Sequence, residues 1–402
     1  MDPAILEELV IPNQTKIILV VLDGLGGLPV RAKGGSELQV AYLPNLDQLA
    51  ANSACGLLDP VGPGITPGSG PSHLALFGYD PFRDNIGRGV LSALGIDFPL
   101  HPQDVAARAN FITLDERGII ADRRPGRISD EVNRRLCRKL RENILLSPDV
   151  EWFFETEKEH RGVLILRGQG LSYAVTDTDP QRTGVSPLKP RALDPAAERT
   201  LRLVNDFLAQ AQEILANEEM ANMLLLRGFS QYRRFRFLEE RFGLRSLALA
   251  SYPMYRGLAR LLGMDGVPLI PNNAQKFRLL RENYPAYDFF FLHIKETDNR
   301  GEDGDFEGKV RVLEEVDRLI PQAVALEPDV LVVTGDHSTP SLMRSHSWHP
   351  VPVLLYSHWG WIDEVERFDE LSCLRGSLGR QPALNLMGLM LAHARRLAKY
   401  GA

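Results

Sequence analysis

Three aspartates stand just beyond short apolar runs: Asp23 after IILVVL (17–22), Asp298 shortly after FFFLHI (289–294) and Asp336 after VLVVTG (330–335). His337 follows the last of them directly, and His346 lies just ahead of the apolar run VPVLLY (351–356). In open parallel sheets ligands bind outside the carboxyl ends of strands, so acids at equivalent strand ends are candidates for one shared site. Carboxylate oxygens mixed with imidazole nitrogens suit Mn2+, Zn2+ or Mg2+. A single aspartate at a strand end is as readily a helix cap or turn former. The repetition at three ends, with a histidine adjacent to one, is what points to a metal.

The second chemical signal is VGPGITPGSGPSHLALFGYDP (61–81), where Ser69 sits between Gly68 and Gly70. Glycines let the backbone approach a ligand closely, and SHLALFG reads as the opening of a helix. A serine on such a turn is placed to attack phosphorus, because a helix N-terminus favours a bound phosphate. Its hydroxyl needs a base or a metal to activate it. The bland alternative is a plain surface turn. The stretch has no GxSxG elbow, and the chain has no Walker motif and no GxGxxG followed by a suitable acid.

The elements that must position these groups are legible as buried parallel strands. KIILVVLDG (16–24), DFFFLHIKETD (288–298), DVLVVTGDH (329–337) and VPVLLYS (351–357) are short apolar runs, most of them ending in glycine or an acid. FEGKVRVLEEVDRLIPQAVAL (306–326) has helical periodicity and would form the crossover between two of them. The expected fold class is α/β, a mostly parallel central sheet flanked by helices. Residues 101–274 have another texture, with amphipathic arginine-bearing helices at 129–143 and 195–218. Residues 1–100 and 275–402 are therefore expected to form a discontinuous core, and 101–274 an inserted smaller α+β cap.

Composition narrows the class of function. The chain has 402 residues, 44% hydrophobic and 24% charged, with a formal charge of −6. This is globular composition, long enough for roughly two to three structural units, and a mildly acidic whole excludes nucleic acid as the main partner. The first apolar run is too short to span a bilayer and follows an acidic start, so neither a membrane anchor nor a secretory leader is expected. Three cysteines without a CxxC fit a reducing compartment, and a cytoplasmic enzyme is expected.

With these residues in view, the chain resembles the cofactor-independent phosphoglycerate mutases, most closely the shorter archaeal-type branch of the alkaline phosphatase superfamily. VLDGLGG (21–27), PGSGPSHLALFGYDP (67–81), HIKETDNRGEDGDFEGK (293–309), GDHSTP (335–340) and HSWHPVPV (346–353) are similar to the family's metal-site and nucleophile motifs. GRGVLSALG (87–95), ARANF (107–111), ADRRPGRI (121–128), DTDPQRTG (177–184), ANMLLLRG (221–228) and YPMYRGLARLLGM (252–264) resemble cap segments. The resemblance implies a phosphoserine at Ser69 and two divalent ions, Mn2+ first with Mg2+, Zn2+ or Co2+ as alternatives, and no 2,3-bisphosphoglycerate. One ion would be held by Asp23, Ser69, Asp336 and His337. The other would take Asp298, His346 and Glu302, the last standing where the family usually has histidine.

A phosphoglycerate needs fixed cations, and arginine offers bidentate geometry to carboxylate and phosphate. Segment 122–141 has eight basic residues against three acidic ones. Arg134, Arg135, Arg138 and Arg141 fall on the wet face of a helix, which leaves Arg123, Arg124 and Arg127 in the preceding turn as ligand candidates, as the resemblance also favours. Arg227 and Arg256, each before a glycine, are further candidates. Asp177 and Asp179 would position an arginine or substrate hydroxyls, or simply form a DTDP turn. The implied activity is interconversion of 3- and 2-phosphoglycerate, with a closing cap to exclude water. A phosphatase or another phosphotransferase of the superfamily, or a non-catalytic binding protein, stands as the alternative. A small phosphorylated acid is the expected partner, and a homo-oligomer is left open.

Overall fold

The computed structural model describes residues 3–267 and 270–401, except the side chains of residues 3, 4 and 127. The strands, in chain order, are β1 (Ile17–Leu22), β2 (Ala54–Asp59), β3 (Val105–Leu114), β4 (Ile120–Asp122), β5 (Glu151–Lys158), β6 (Arg161–Arg167) and β7 (Met223–Gln231). They continue with β8 (Ser246–Leu249), β9 (Asp265–Gly266), β10 (Phe289–Ile294), β11 (Val330–Thr334), β12 (Val351–Ser357) and β13 (Gly379–Pro382). Two sheets result. One has the order β13-β2-β12-β11-β1-β10-β8-β9, and the other runs β4-β3-β6-β5 with β7 also paired to β3.

In the larger sheet β1 lies between β10 and β11 and is parallel to both. Every residue of these three strands is buried, which is why they read as unbroken apolar runs. The helix Phe306–Val324 links β10 to β11 and packs Leu313, Val316 and Ile320 into the core. Full burial of each such side chain is worth about 1.5–3 kcal/mol. β12 is antiparallel to both β11 and β2. It returns from β11 through residues 335–350 without a helix, as an antiparallel neighbour can.

The chain divides into two compact units. The first comprises residues 1–85, 236–251 and 262–402, and the second 86–235 and 252–261. The cap was expected to begin at 101 and end at 274. Its compact unit instead starts at 86, and most of 236–274 lies with the first unit. The reason is visible at β8: SLAL is a four-residue buried strand paired to β10, too short to show a pattern in the sequence. The second unit is an antiparallel sheet. It is covered by the helices Asp130–Asn143 and Glu198–Leu215, whose Leu136, Leu140, Leu203, Val204 and Phe207 share its core. Ser129 caps the first of these by accepting from the Val132 amide.

Candidate metal centre

Because β11, β1 and β10 are adjacent and parallel, the segments leaving their carboxyl ends converge. Asp23 follows β1, Asp336 follows β11, and Asp298 sits in the helix Glu296–Asp303 after β10. All three are buried. Gly24 turns the chain at φ +65°, and a Cβ there would lie 2.5 Å from Thr339 Oγ1, so glycine is required. Its amide donates to Asp336 Oδ1 at 3.1 Å, tying the β1 and β11 ends together. Ser69 is the first residue of the helix Ser69–Leu76, after an extended Gly68. Its Oγ lies 3.3 Å from His337 Nε2.

Two clusters of donors form. Asp23, Asp336 and His337 present ligand atoms within 4.8 Å of one another, and so do Asp298, His337 and His346. The family resemblance implies one set of Asp23, Ser69, Asp336 and His337 and another of Asp298, His346 and Glu302. In the structure His337 belongs to both clusters, its ring stacked on His346 with centroids 3.6 Å apart. Glu302 lies one helical turn beyond Asp298, and its Oε1 is 3.9 Å from His346 Nε2, at the wet edge of the second cluster.

The hydrogen bonds determine which nitrogens face the clusters. Thr339 Oγ1 donates to Asp298 Oδ1 at 2.6 Å, because a carboxylate can only accept. It must therefore accept from His337 Nδ1 at 3.0 Å. That leaves Nε2 of the neutral ring as a lone pair, 3.3 Å from Asp23 Oδ1 and 3.2 Å from Asp336 Oδ2. His346 Nδ1 likewise donates to the Pro67 carbonyl at 2.9 Å, so its Nε2 faces Asp298 Oδ1 at 3.6 Å. Asp336 Oδ2 is buried and receives no hydrogen bond from the described residues. Lone pairs aimed at buried carboxylate oxygens repel unless a cation lies between them. Metal-bound histidines show this same pattern, with the outer N–H donated away. The donor set, oxygens with two imidazoles, fits divalent cations.

The electrostatics agree. Burial pulls the His337 imidazole down, yet Asp336, Asp23 and Asp298 together carry it up to about 9. A proton and a divalent ion thus compete for the same Nε2. Burial would raise Asp23, but the Lys295 ammonium, a hydrogen bond from His293 and, when Nε2 carries the competing proton, one from His337 hold it well below the ordinary carboxylate range. Lys295 Nζ lies 3.1 Å from Asp23 Oδ2 and also bonds Asp298, so one ammonium bridges carboxylates of both clusters.

The second unit has the opposite character. Arg108 on β3 and Arg227 on β7 stand directly opposite each other in the ladder. Like charges at such a pair destabilise a sheet unless they are compensated. Arg108 is compensated by Glu157, bonded at 3.0 and 2.9 Å from a register break in β5. Asp179 serves Arg123 at 2.9 Å and Arg227 at 3.5 Å. Asp177 accepts from the Gly228 amide at 2.7 Å. Arg124 is exposed, and the Arg127 side chain lies outside the described residues. Arg256 pairs with Asp97 at 3.1 Å.

Arg88 escaped the sequence reading. It is half-buried, and its side chain has no hydrogen bond or ion pair among the described residues. Burial, with Arg108 and Arg227 close by, pulls its guanidinium down to about 10. It is the first residue of the helix Arg88–Gly95, where a cation opposes the helix dipole. That misplacement was the available signal. His160 escaped notice too: burial and then Arg161, Arg108, Arg124 and Arg123 push it down to about 2. The cluster thus holds a surplus of positive charge over its carboxylates.

Comparison with known proteins shows the family to which the chain belongs. The profile of the family described as 2,3-bisphosphoglycerate-independent phosphoglycerate mutase matches residues 50–221. A Thermus thermophilus protein named a probable 2,3-bisphosphoglycerate-independent phosphoglycerate mutase is 53% identical over 401 residues, 99% of each chain. The chain belongs to this family. Among solved structures, a Pyrococcus horikoshii protein superposes with a TM-score of 0.82 at 28% identity, over 97% of this chain and 100% of the other. The cofactor-independent phosphoglycerate mutase of Thermoplasma acidophilum gives 0.65 at 31% identity, over 94% and 100%. Among the described residues no helix of this family member is long and apolar enough to cross a membrane.

Proposed function

We propose that this member of the family interconverts 3-phosphoglycerate and 2-phosphoglycerate through a phosphoserine at Ser69, without 2,3-bisphosphoglycerate. The observation that carries the reading is the Ser69 hydroxyl, 3.3 Å from His337 Nε2 where the two donor clusters meet. Asp23, Asp336, His337 and Ser69 are assigned to one divalent ion, and Asp298, His346 and Glu302 to the other, with His337 at their junction. Mn2+ is the first candidate. When bound, such ions lower the serine hydroxyl's pKa and neutralise charge on a transferring phosphoryl group.

The chain's own residues do the rest. Ser69 presents its oxygen at a helix N-terminus, whose free amides suit an anion arriving there. Lys295 adds a fixed positive charge beside Asp23 and Asp298. In the second unit Arg88, Arg123, Arg227 and Arg108 form the cationic surface that recognises the acid's carboxylate and phosphoryl charges. Asp177 and Asp179 hold that surface in place: Asp179 orients Arg123 and Arg227, and Asp177 anchors the strand at Gly228. Arg256, already paired, and the exposed Arg124 are assigned the edge of the surface, and Arg127 is retained on the resemblance alone. The glycerate must be kept from leaving while either of its hydroxyls takes the phosphoryl back. Water must stay out, because a hydrolysed phosphoserine turns the reaction into that of a phosphatase. The three buried, unpaired cysteines support a cytoplasmic setting.

An enolase-coupled assay with added Mn2+ and simultaneous measurement of free phosphate tests the reading. A mutase forms 2-phosphoglycerate without free phosphate, a phosphatase releases phosphate, and a binding protein does neither. Ser69→Ala should abolish turnover with the thermal transition retained. Turnover that survives this substitution removes the phosphoserine from the mechanism.

A further inference from the structure

The helix Phe306–Val324 carries Lys309 in its first turn, fully buried. A cation there opposes the helix dipole, and burying an ammonium costs several kcal/mol unless it is well paired. Its Nζ donates to three main-chain carbonyls: Gly24 at 2.8 Å, Thr339 at 3.0 Å and Gly26 at 3.1 Å. Two carboxylates steady the same loops. Glu37 accepts from the Ser341 amide, and Glu370 accepts from the Gly27 amide, both at 2.8 Å. The ammonium thus joins the segment after β1 to the segment after β11, the two that carry Asp23, Asp336 and His337.

The tie ends on one side chain. Thr339 is fully buried, and its amide bonds the Gly24 and Gly26 carbonyls. Its hydroxyl hydrogen-bonds both an acid of the second cluster, Asp298, and the imidazole shared by the two. Space around it is closed: a Cβ on Gly301 would lie 2.2 Å from the Thr339 carbonyl, so the helix bearing Asp298 rests directly on this residue. A hydroxyl has one proton. With that proton given to Asp298, its lone pair holds the His337 Nδ1 hydrogen and no other tautomer fits.

We infer that Thr339, clamped by Lys309, is a positioning residue that sets the tautomer of His337 and the spacing of the two ligand clusters. The inference rests on the metal-site reading above and assigns a role to residues which themselves offer no ligand. Removing such an outer hydrogen bond typically weakens metal binding by about 10–100-fold.

The test uses full-length protein stripped of metal and titrated with Mn2+ by calorimetry, alongside steady-state kinetics. Thr339→Val keeps the shape and removes the hydroxyl. It is expected to weaken Mn2+ binding about 10–100-fold and to lower kcat with little change in KM for 3-phosphoglycerate. Thr339→Ser restores the hydroxyl and should bind within about threefold of wild type. Lys309→Met should shift Mn2+ affinity the same way, and the threonine pair carries the test even where that variant does not fold. Thr339→Val with unchanged Mn2+ affinity overturns the inference, as does Thr339→Ser as weak as Thr339→Val, which would make the role one of packing. Wild-type protein that takes up no Mn2+ overturns the metal-site reading itself, so the two failures are told apart.

Discussion

The first unit gathers carboxylates and imidazoles at the edge of a parallel sheet, whereas the second gathers guanidinium groups along an antiparallel one. Parallel neighbours bring together strand ends that are distant in sequence, so Asp23, Asp298 and Asp336 meet because β10, β1 and β11 are adjacent. Antiparallel pairing instead sets two side chains face to face, as with Arg108 and Arg227. At each of the two clusters like charges lie close together, and the proposed function reads them as the places where cations and an anion would bind. The mode of compensation differs as well. The acidic site is organised by backbone amides, a threonine and a lysine, and the basic one by a few buried carboxylates.

Stripping divalent ions should break the first site outright. Dialysis against chelator is expected to lower turnover by about a thousandfold or more, with recovery on adding Mn2+ and no loss of the second unit's far-ultraviolet signal. Retained turnover after verified metal removal would mean that the acidic cluster is structural. Next in size is Glu157→Gln, which leaves Arg108 buried with half its partner. Loss of one member of such a pair costs about 3–5 kcal/mol, read as a lower denaturant midpoint. A change within error would show that Arg108 is compensated from elsewhere.

Arg88→Ala separates binding from stability. Charge-assisted contacts contribute about 1.5–3 kcal/mol each, so KM for 3-phosphoglycerate should rise by roughly tenfold to a hundredfold. Stability should hold or improve slightly, since the residue faces like charges and the wrong end of a helix dipole. A destabilised variant with unchanged KM would make Arg88 a packing residue. The smallest effect is His160. Its folded pKa, about 2, lies below the unfolded value near 6.5, so the unfolded chain binds the extra proton in between. Stability from this group is complete above pH 6.5 and falls as pH drops, by at most about 1.4 kcal/mol per unit. His160→Gln should flatten that slope in urea titrations between pH 6.5 and 4.5. An unchanged slope assigns it to other groups.

Much of the first site was legible because its strands are wholly buried. Continuous apolar runs ending in acids are visible without coordinates, and so was the helix between β10 and β11. The glycines around Ser69 were visible as a cluster of turn-forming residues ahead of a helix. The second unit was less legible. Its arginines are scattered over strands, turns and a helix end, and only its place at a helix start distinguishes Arg88 from the solvated arginines of the helix Asp130–Asn143. Arg135 illustrates the contrast: equally basic in its surroundings, it pairs with Glu218 at the surface. The sharing of His337 between clusters also lay beyond the sequence, because it depends on the stacking of two rings from different loops.

Residue type and periodicity alone determined that a parallel sheet would hold acids at its carboxyl edge, that a serine would open a helix after a glycine turn, and that an arginine-rich segment would interrupt the core. These are local consequences of burial, backbone freedom and dipole. Only the tertiary structure decided where the chain leaves and re-enters the core, which arginines face one another, and which nitrogen of His337 meets the carboxylates. Those depend on strand neighbours and on single hydrogen bonds such as that of Thr339, whose partners are 41 residues away in one case and two in the other. Contacts of that kind are set by packing in three dimensions, and no local pattern encodes them.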